Sequence, residues 1–226
     1  MWIPSPSARS AGTRAPAGEV YRGRMSTDAA DPFRPVPLEG RLVRLEPLRP
    51  EHADGLRAAV EDGRRWELWY TDIPTPDGVG AEIDRRLAWQ EAGSMAPFAV
   101  RRLSDGALIG MTSLYDIDRD IPRASIGYTW NAASASGTGT NPESKLLLLR
   151  HAFEAWGCAA VEFRTDWMNH QSRAAIERLG AKQDGVLRQQ AQRNGYVRDT
   201  VVFSIIATEW PAVRLGLEAR VARHAG

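Results

Sequence analysis

Along residues 41–48, Leu42, Val43, Leu45 and Leu48 are set among Arg41, Arg44 and Glu46, roughly the pattern of a half-buried strand. Pro50 and Glu51 then open a helix that ends near Gly63. After an aromatic cluster at Trp66, Trp69 and Tyr70 and a Pro/Gly loop over 74–80, a second helix is predicted over 81–92. Strands over 97–103 and 107–115 meet across the turn at Ser104, Asp105 and Gly106, and a fourth strand covers 124–130. From there the order becomes loop, helix, strand, helix, strand. Asn141 reads as an N-cap, Pro142 as the first helical residue and Glu143 as a partner for the helix dipole. Leu146, Leu149, Phe153 and Trp156 then recur on one face until Gly157 stops the helix. Val161, Phe163 and Thr165 alternate with charged residues as a strand, and a further helix over 169–179 closes at Gly180. Strands over 181–188 and 197–206 join through Asn194-Gly195, and apolar residues on both faces of the last one place it inside a sheet.

Composition narrows the reading. With 226 residues, 29 Lys+Arg and 28 Asp+Glu, the net charge is +1, which leaves no broad field for nucleic acid or an acidic membrane surface. Cys158 is the single cysteine, so no internal disulfide and no multi-cysteine zinc site is available. That points to a reducing compartment, the cytoplasm, and no metal is expected. The apolar runs fall far short of the ~20 residues that cross a bilayer. Lys145 and Lys182 are the only lysines; nearly all positive charge is arginine, a bias that with abundant alanine suggests a GC-rich bacterial genome. Residues 1–36 are rich in Ser, Ala, Pro, Gly and Arg and bury too little to order themselves, so a disordered tail is expected before one domain over 37–226. Met25 offers an alternative start.

Ser136, Gly137, Thr138, Gly139, Thr140 and Asn141 form the most informative stretch. Glycines let a backbone turn its N–H groups into a concavity, and a helix N-terminus adds unpaired donors, so a pyrophosphate could sit there without any lysine. The same loop could simply turn a strand into a helix. A nucleotide-triphosphatase loop is disfavoured because no Gly-Lys-Ser/Thr follows, and a dinucleotide fingerprint because Pro142 stands where glycine or alanine is needed.

The run Ile126-Gly127-Tyr128-Thr129-Trp130, the loop above, Asn169-His170-Gln171-Ser172 and Trp210-Pro211 resemble, in that order, the GNAT family of N-acetyltransferases. The closest branch is that of ribosomal-protein alanine acetyltransferases. The resemblance spans about residues 37–213 and implies a mixed α/β (α+β) domain. Its central sheet would have about seven strands flanked by helices, splayed between the fourth and fifth strands to admit acetyl-CoA. It implies pyrophosphate binding by Ser136 to Asn141, where Ser136 and Asn141 depart from the family's Gln/Arg and small residue. Tyr128, Thr129 and Trp130 match the strand that pairs with pantetheine, and Asn169 the asparagine that holds it. The tyrosine that many relatives use as an acid is replaced by Ile176; Ser172 matches the serine used in the nearest branch. Ser172 is therefore the catalytic candidate, although without the family it reads as an ordinary first-turn residue.

No base is identifiable: the glutamate of some relatives falls at Ala191, and His151 sits among core leucines. Asp116, Asp118 and Asp120 read as a solvated acidic loop, while Trp66, Trp69 and Tyr70 line either a core or an acceptor pocket. The function expected is acetyl transfer from acetyl-CoA to a primary amine, on a small molecule or a protein N-terminus, by a monomer or homodimer. The alternatives are a non-catalytic acyl-CoA sensor or scaffold, and an enzyme with a larger acyl donor such as succinyl-CoA.

Overall fold

The computed structural model describes residues 31–193 and 195–224. A mixed sheet forms its centre, with strand order β1-β2-β3-β4-β5-β6-β8-β7. The strands are β1 (Leu38–Glu39), β2 (Val43–Pro47), β3 (Met95–Arg102), β4 (Leu108–Asp118), β5 (Arg123–Asn131), β6 (Ala160–Asp166), β7 (Lys182–Arg193) and β8 (Tyr196–Ile206). Five α-helices join them: α1 (Ala53–Glu61), α2 (Val79–Glu91), α3 (Thr140–Arg150), α4 (His170–Glu177) and α5 (Trp210–Ala222). Among the described residues eight strands thus stand where about seven were expected, because the two-residue β1 pairs Leu38 with Leu45 and Glu39 with Arg44. Two residues carry no readable alternation, which is why the sequence hides it.

All neighbours are antiparallel except β5 and β6. That parallel pair holds only from Arg123 to Ser125, matched to Ala160 to Glu162, and then the strands part. The last strand is interior, as its two apolar faces required: β8 lies between β6 and β7.

Helix α3 departs from the expected outline in three ways. It begins at Thr140 with Gly139, at φ 81°, in the cap position, so Asn141 is a first-turn residue and not the N-cap. It is buried all round, since Leu146, Leu147, Leu148 and Leu149 are all core residues and not one apolar stripe. Beyond Arg150 the chain slips into a π-turn over His151–Ala155 before Gly157, at φ 65°, ends it. Glu143 reaches out of this helix, and its carboxylate accepts the N–H groups of Arg41, Leu42 and Val43 at 2.6–2.8 Å.

The tail expected over residues 1–36 lies outside the described residues as far as residue 30. Within residues 31–36 the Phe33 ring stands 5.1 Å from Trp156, and the Arg119 guanidinium lies over that ring while pairing with Asp31. One aromatic in a polar stretch is enough to anchor a short segment when a partner ring lies across the fold. Asn194, half of the expected hairpin turn, falls outside the described residues, but β7 and β8 pair on either side of it.

Candidate active site

Where β5 and β6 separate, a cavity of about 930 Å³ opens. Ile126 to Trp130 form one wall and Phe163 to Asp166 the other. The β5 wall is bent by Tyr128, held at φ 50°, with an irregular register against β4 between Met111 and Ser113. A bulge of this kind releases a strand from pairing and re-aims its side chains. A non-glycine residue in the left-handed region costs of order 1 kcal/mol or more, and such strain concentrates at functional sites. Trp130 is 4% exposed, and its indole N–H has no acceptor among the described residues. A buried donor without an acceptor is costly, so the wall is chemically incomplete by itself.

Of the residues singled out in the sequence, Tyr128, Thr129, Trp130, Asn141, Asn169 and Ser172 all line this cavity. Ser136, Gly137, Thr138, Gly139 and Thr140 do not line it but adjoin it, since Ser136 accepts a hydrogen bond at 2.6 Å from Arg65, a lining residue. Gly137 and Gly139 take φ 77° and 81°, conformations that glycine adopts without strain. The Thr138 and Thr140 hydroxyls donate to the Ala135 carbonyl at 2.8 and 3.2 Å and meet each other at 3.0 Å. Their side chains are thus spent on holding the loop. What remains for an anion is backbone N–H, including those of the first turn of α3, which have no intrahelical partner.

Asn169 is the cap of α4, its Oδ1 accepting the Ser172 N–H at 2.9 Å. Capping and lining are compatible here, because the cap turns both residues toward the opening. Asp166, a wall residue only 3% exposed, closes the same corner, accepting the Met168 N–H at 2.9 Å and the Tyr196 hydroxyl.

A family model described as an acetyltransferase (GNAT) domain matches residues 42–182. The chain belongs to the GNAT acetyltransferase family. The Bacillus subtilis protein "Putative ribosomal N-acetyltransferase YdaF" is 35% identical over 171 residues, covering 74% of this chain and 93% of that protein. A crystal structure of a GCN5-related N-acetyltransferase from Brucella melitensis superposes with TM-score 0.73 at 29% identity, covering 82% of this chain and 85% of the other. Mycobacterium smegmatis RimJ in complex with CoA-disulfide shares the fold, with TM-score 0.68 at 23% identity over 81% of this chain and 92% of that one. The protein is a GNAT-type N-acetyltransferase, a family whose co-substrate is acetyl-CoA.

In this GNAT fold the other end of the cavity is aromatic and basic. Tyr128 packs edge-on to Tyr115 with centroids 4.9 Å apart and tilts against Trp89 at 5.3 Å. Burial, with Asp116 nearby, pushes the Tyr115 phenol up to about 12, so it stays protonated. Beneath them Arg86 is 1% exposed, held by Glu82 at 2.7 Å and the Ser113 hydroxyl at 3.3 Å. Of the early aromatics only Tyr70 lines the cavity; Trp66 packs on the core and Trp69 lies against Tyr196. Asp118 accepts the N–H groups of Asp120 and Ile121, a turn and not a reaction centre.

His151 stays out of the cavity, against Trp156 at 5.0 Å; burial lowers its pKa, and its Nε2 has no partner among the described residues. The expected structural histidine is thus structural without being fully satisfied. No group of three or more metal-ligating side chains occurs among the described residues, and no helix among them is long and apolar enough to cross a membrane. Cys158 is 2% exposed, and burial pushes its thiol up to about 11. A maleimide is therefore expected to label the native protein at least ~10-fold more slowly than the unfolded chain at neutral pH. Equal rates, read by intact mass, would mean that this corner opens.

Sequence reasoning passed over Arg65, Arg86 and Lys145. Lys145 alone carried a signal, a single lysine before four leucines in a chain that otherwise uses arginine.

Proposed function

We propose that acetyl-CoA occupies the gap between β5 and β6, with its pyrophosphate on the backbone of Ser136 to Asn141, and that the acceptor is the α-amino group of a protein N-terminus. The observation that carries this is the parting of two paired strands after Ser125, beside an irregular strand whose buried Trp130 N–H lacks an acceptor. The residues present fit the group. The loop offers left-handed glycines and a helix N-terminus for phosphate oxygens, and the parted strand offers main-chain partners for an amide-bearing arm. A thioester lying there would have its carbonyl beside backbone N–H groups able to stabilise a developing oxyanion. Asn169 would hold the arm and Ser172 would protonate the departing thiolate. YdaF is named for ribosomal proteins, which favours a protein acceptor; a protein with that role works in the cytoplasm.

The test is release of free thiol from acetyl-CoA with peptides that begin in Ala, Ser or Met and with a panel of small amines. Turnover of peptides over small amines is expected, with acetylation at the peptide N-terminus by mass spectrometry. Turnover confined to small amines would overturn the protein acceptor, and binding without any turnover would leave a sensor.

Anion binding by the loop has its own check. At Gly139 an added Cβ would lie 2.6 Å from His224, so substitutions there confound charge with collision. A Cβ at Gly137 meets nothing within 4 Å. Asn and Asp both tolerate the left-handed conformation, so Gly137→Asp against Gly137→Asn isolates one negative charge. Calorimetry is expected to show CoA binding more than ~10-fold weaker for the Asp variant than for the Asn variant, a difference of ~1.4 kcal/mol. Equal affinities would take the loop out of the phosphate site.

A further inference from the structure

Lys145 stands in the second turn of α3 and is 6% exposed, yet it lines the cavity. Its Nζ donates to the Thr129 hydroxyl of β5 at 2.7 Å and to the Thr112 hydroxyl of β4 at 3.0 Å. The two hydroxyls are themselves 2.8 Å apart. Both hydrogen bonds of this amine are thus to neutral oxygens. The charged groups on the elements around it are engaged elsewhere. On α3 itself, Glu143 is spent on the N–H groups of Arg41 to Val43, and Arg150 pairs with Glu218 of α5. On β2, Glu46 is taken by Arg101 of β3, while Arg44 of β2 pairs with Glu39 of β1. Across the cavity Asp166 of β6 holds Tyr196 and stands 4.0 Å from Arg198 of β8, and Arg164 of β6 pairs with Glu162. The remaining lining charges near the aromatic end are Arg85 and Arg86 of α2, both paired with Glu82, and near the loop are Arg64, Arg65 and Glu67. Asp72 lines the same cavity.

An ammonium group taken out of water without a counter-charge is strongly disfavoured. Two hydroxyls cannot fully replace that lost hydration, so the balance moves toward the neutral amine, which keeps a lone pair. A neutral amine bonded to a strand residue of the acyl-transfer cleft is chemically a base, and among the described residues no histidine lines the cavity to do the same work.

We propose that Lys145 accepts the proton that the acceptor ammonium must lose before it can attack, with the Thr129 hydroxyl as the bridge between Nζ and the cavity. The proposal rests on the acetyl-transfer reading above. Burial alone lowers the Lys145 pKa to about 7, with no neighbouring charge contributing. Above that pH Lys145 is mostly neutral and can accept a proton, and below it the residue is mostly charged and cannot. The Thr129 oxygen takes one proton from the acceptor R–NH3⁺ as the Thr129 hydroxyl, turned to donate to the lone pair of neutral Nζ across the same 2.7 Å contact, passes its own proton to Lys145. The acceptor nitrogen then forms the C–N bond as the C–S bond of the thioester breaks, and the second nitrogen proton ends on the departing thiolate as CoA thiol. Lys145 returns its proton to solvent.

Two measurements test this. Because the chain has only Lys145 and Lys182, lysine labelled with ¹³C at the ε-carbon gives two signals, and Lys182→Arg tells them apart. The Lys145 signal is expected to titrate with a midpoint near 7. A midpoint near the ordinary lysine value of about 10.4 would overturn the proposal. The second measurement uses acetyl-CoA and the peptide that the wild type turns over best. Lys145→Met removes the amine but keeps an apolar side chain of similar length, so folding and CoA affinity are expected to hold, the latter within about threefold. The rate constant kcat should fall by roughly 100-fold, and the ascending limb of the pH–rate profile near neutrality should vanish. Lys145→Arg, always charged, should lose the same limb while keeping the cation. A Lys145→Met enzyme within about threefold of wild-type kcat, or one that retains the limb, would overturn the proposal. So would Lys145 found acetylated by acetyl-CoA, which would make it a nucleophile. If the wild type acetylates no amine while the midpoint is low, the transfer reading itself has failed and takes the proposal with it.

Discussion

Replacing Glu143 by alanine is expected to cost the fold about 3–5 kcal/mol and lower its melting temperature by roughly 10 °C. The carboxylate is 2% exposed and receives three backbone N–H groups, from Arg41, Leu42 and Val43, at 2.8, 2.6 and 2.8 Å. Those donors lead into β2, and α3 begins only three residues before Glu143. One side chain therefore ties the start of α3, just after the glycine loop, to the start of β2. Removing it strands partly buried donors that water reaches poorly, and a lost acceptor costs more than a bond never made. Glu143→Gln, which keeps one carbonyl oxygen but points an amide at N–H donors, should fall between the two. From the opposite side Gly40→Ala should also destabilise, because a Cβ at Gly40 would collide with the same fixed carboxylate. Thermal melts of the three variants decide it. A Glu143→Ala protein melting within about 2 °C of the wild type would mean that water replaces the carboxylate at little cost.

Ser172→Ala is expected to lower kcat by roughly 10- to 1000-fold while leaving CoA affinity nearly unchanged. The structure sharpens this expectation. It is the backbone N–H of Ser172, not its hydroxyl, that Asn169 captures at 2.9 Å, so alanine keeps the cap. Stability should therefore stay within about 0.5 kcal/mol, and a fall in rate could not be blamed on a frayed helix. Steady-state kinetics with a working acceptor separates the outcomes. An unchanged kcat with a raised KM would make Ser172 a ground-state contact, and no change in either would leave water as the acid.

Much of this architecture was legible because it is written locally. The hairpin of β3 and β4 follows from Asp105-Gly106, and α4 from Asn169 at its cap and Gly180 beyond its end. The glycine loop was legible for the same reason, since its left-handed positions 137 and 139 are both glycine, whereas left-handed Tyr128 carries no such mark. Errors fell where distant packing overrides the local signal. Asn141 has the chemistry of a cap, but Gly139 lets the chain enter the helix two residues earlier. The Phe33–Trp156 contact has no local signal either, because its two rings lie far apart along the chain. Four consecutive leucines read as one face plus excess until β-strands and α5 are seen to enclose the helix.

The sequence by itself determined the element order apart from β1, and the GNAT resemblance that singled out Tyr128 to Trp130 and Asn169, because periodicity, turn chemistry and capping act over a few neighbouring residues. Tertiary structure alone decided where β5 leaves β6, that Glu143 is an anchor, and that Arg65 from an early turn reaches Ser136. It alone also lowers the Lys145 pKa to about 7, because burial beside Thr112 and Thr129 removes water that would favour the cation.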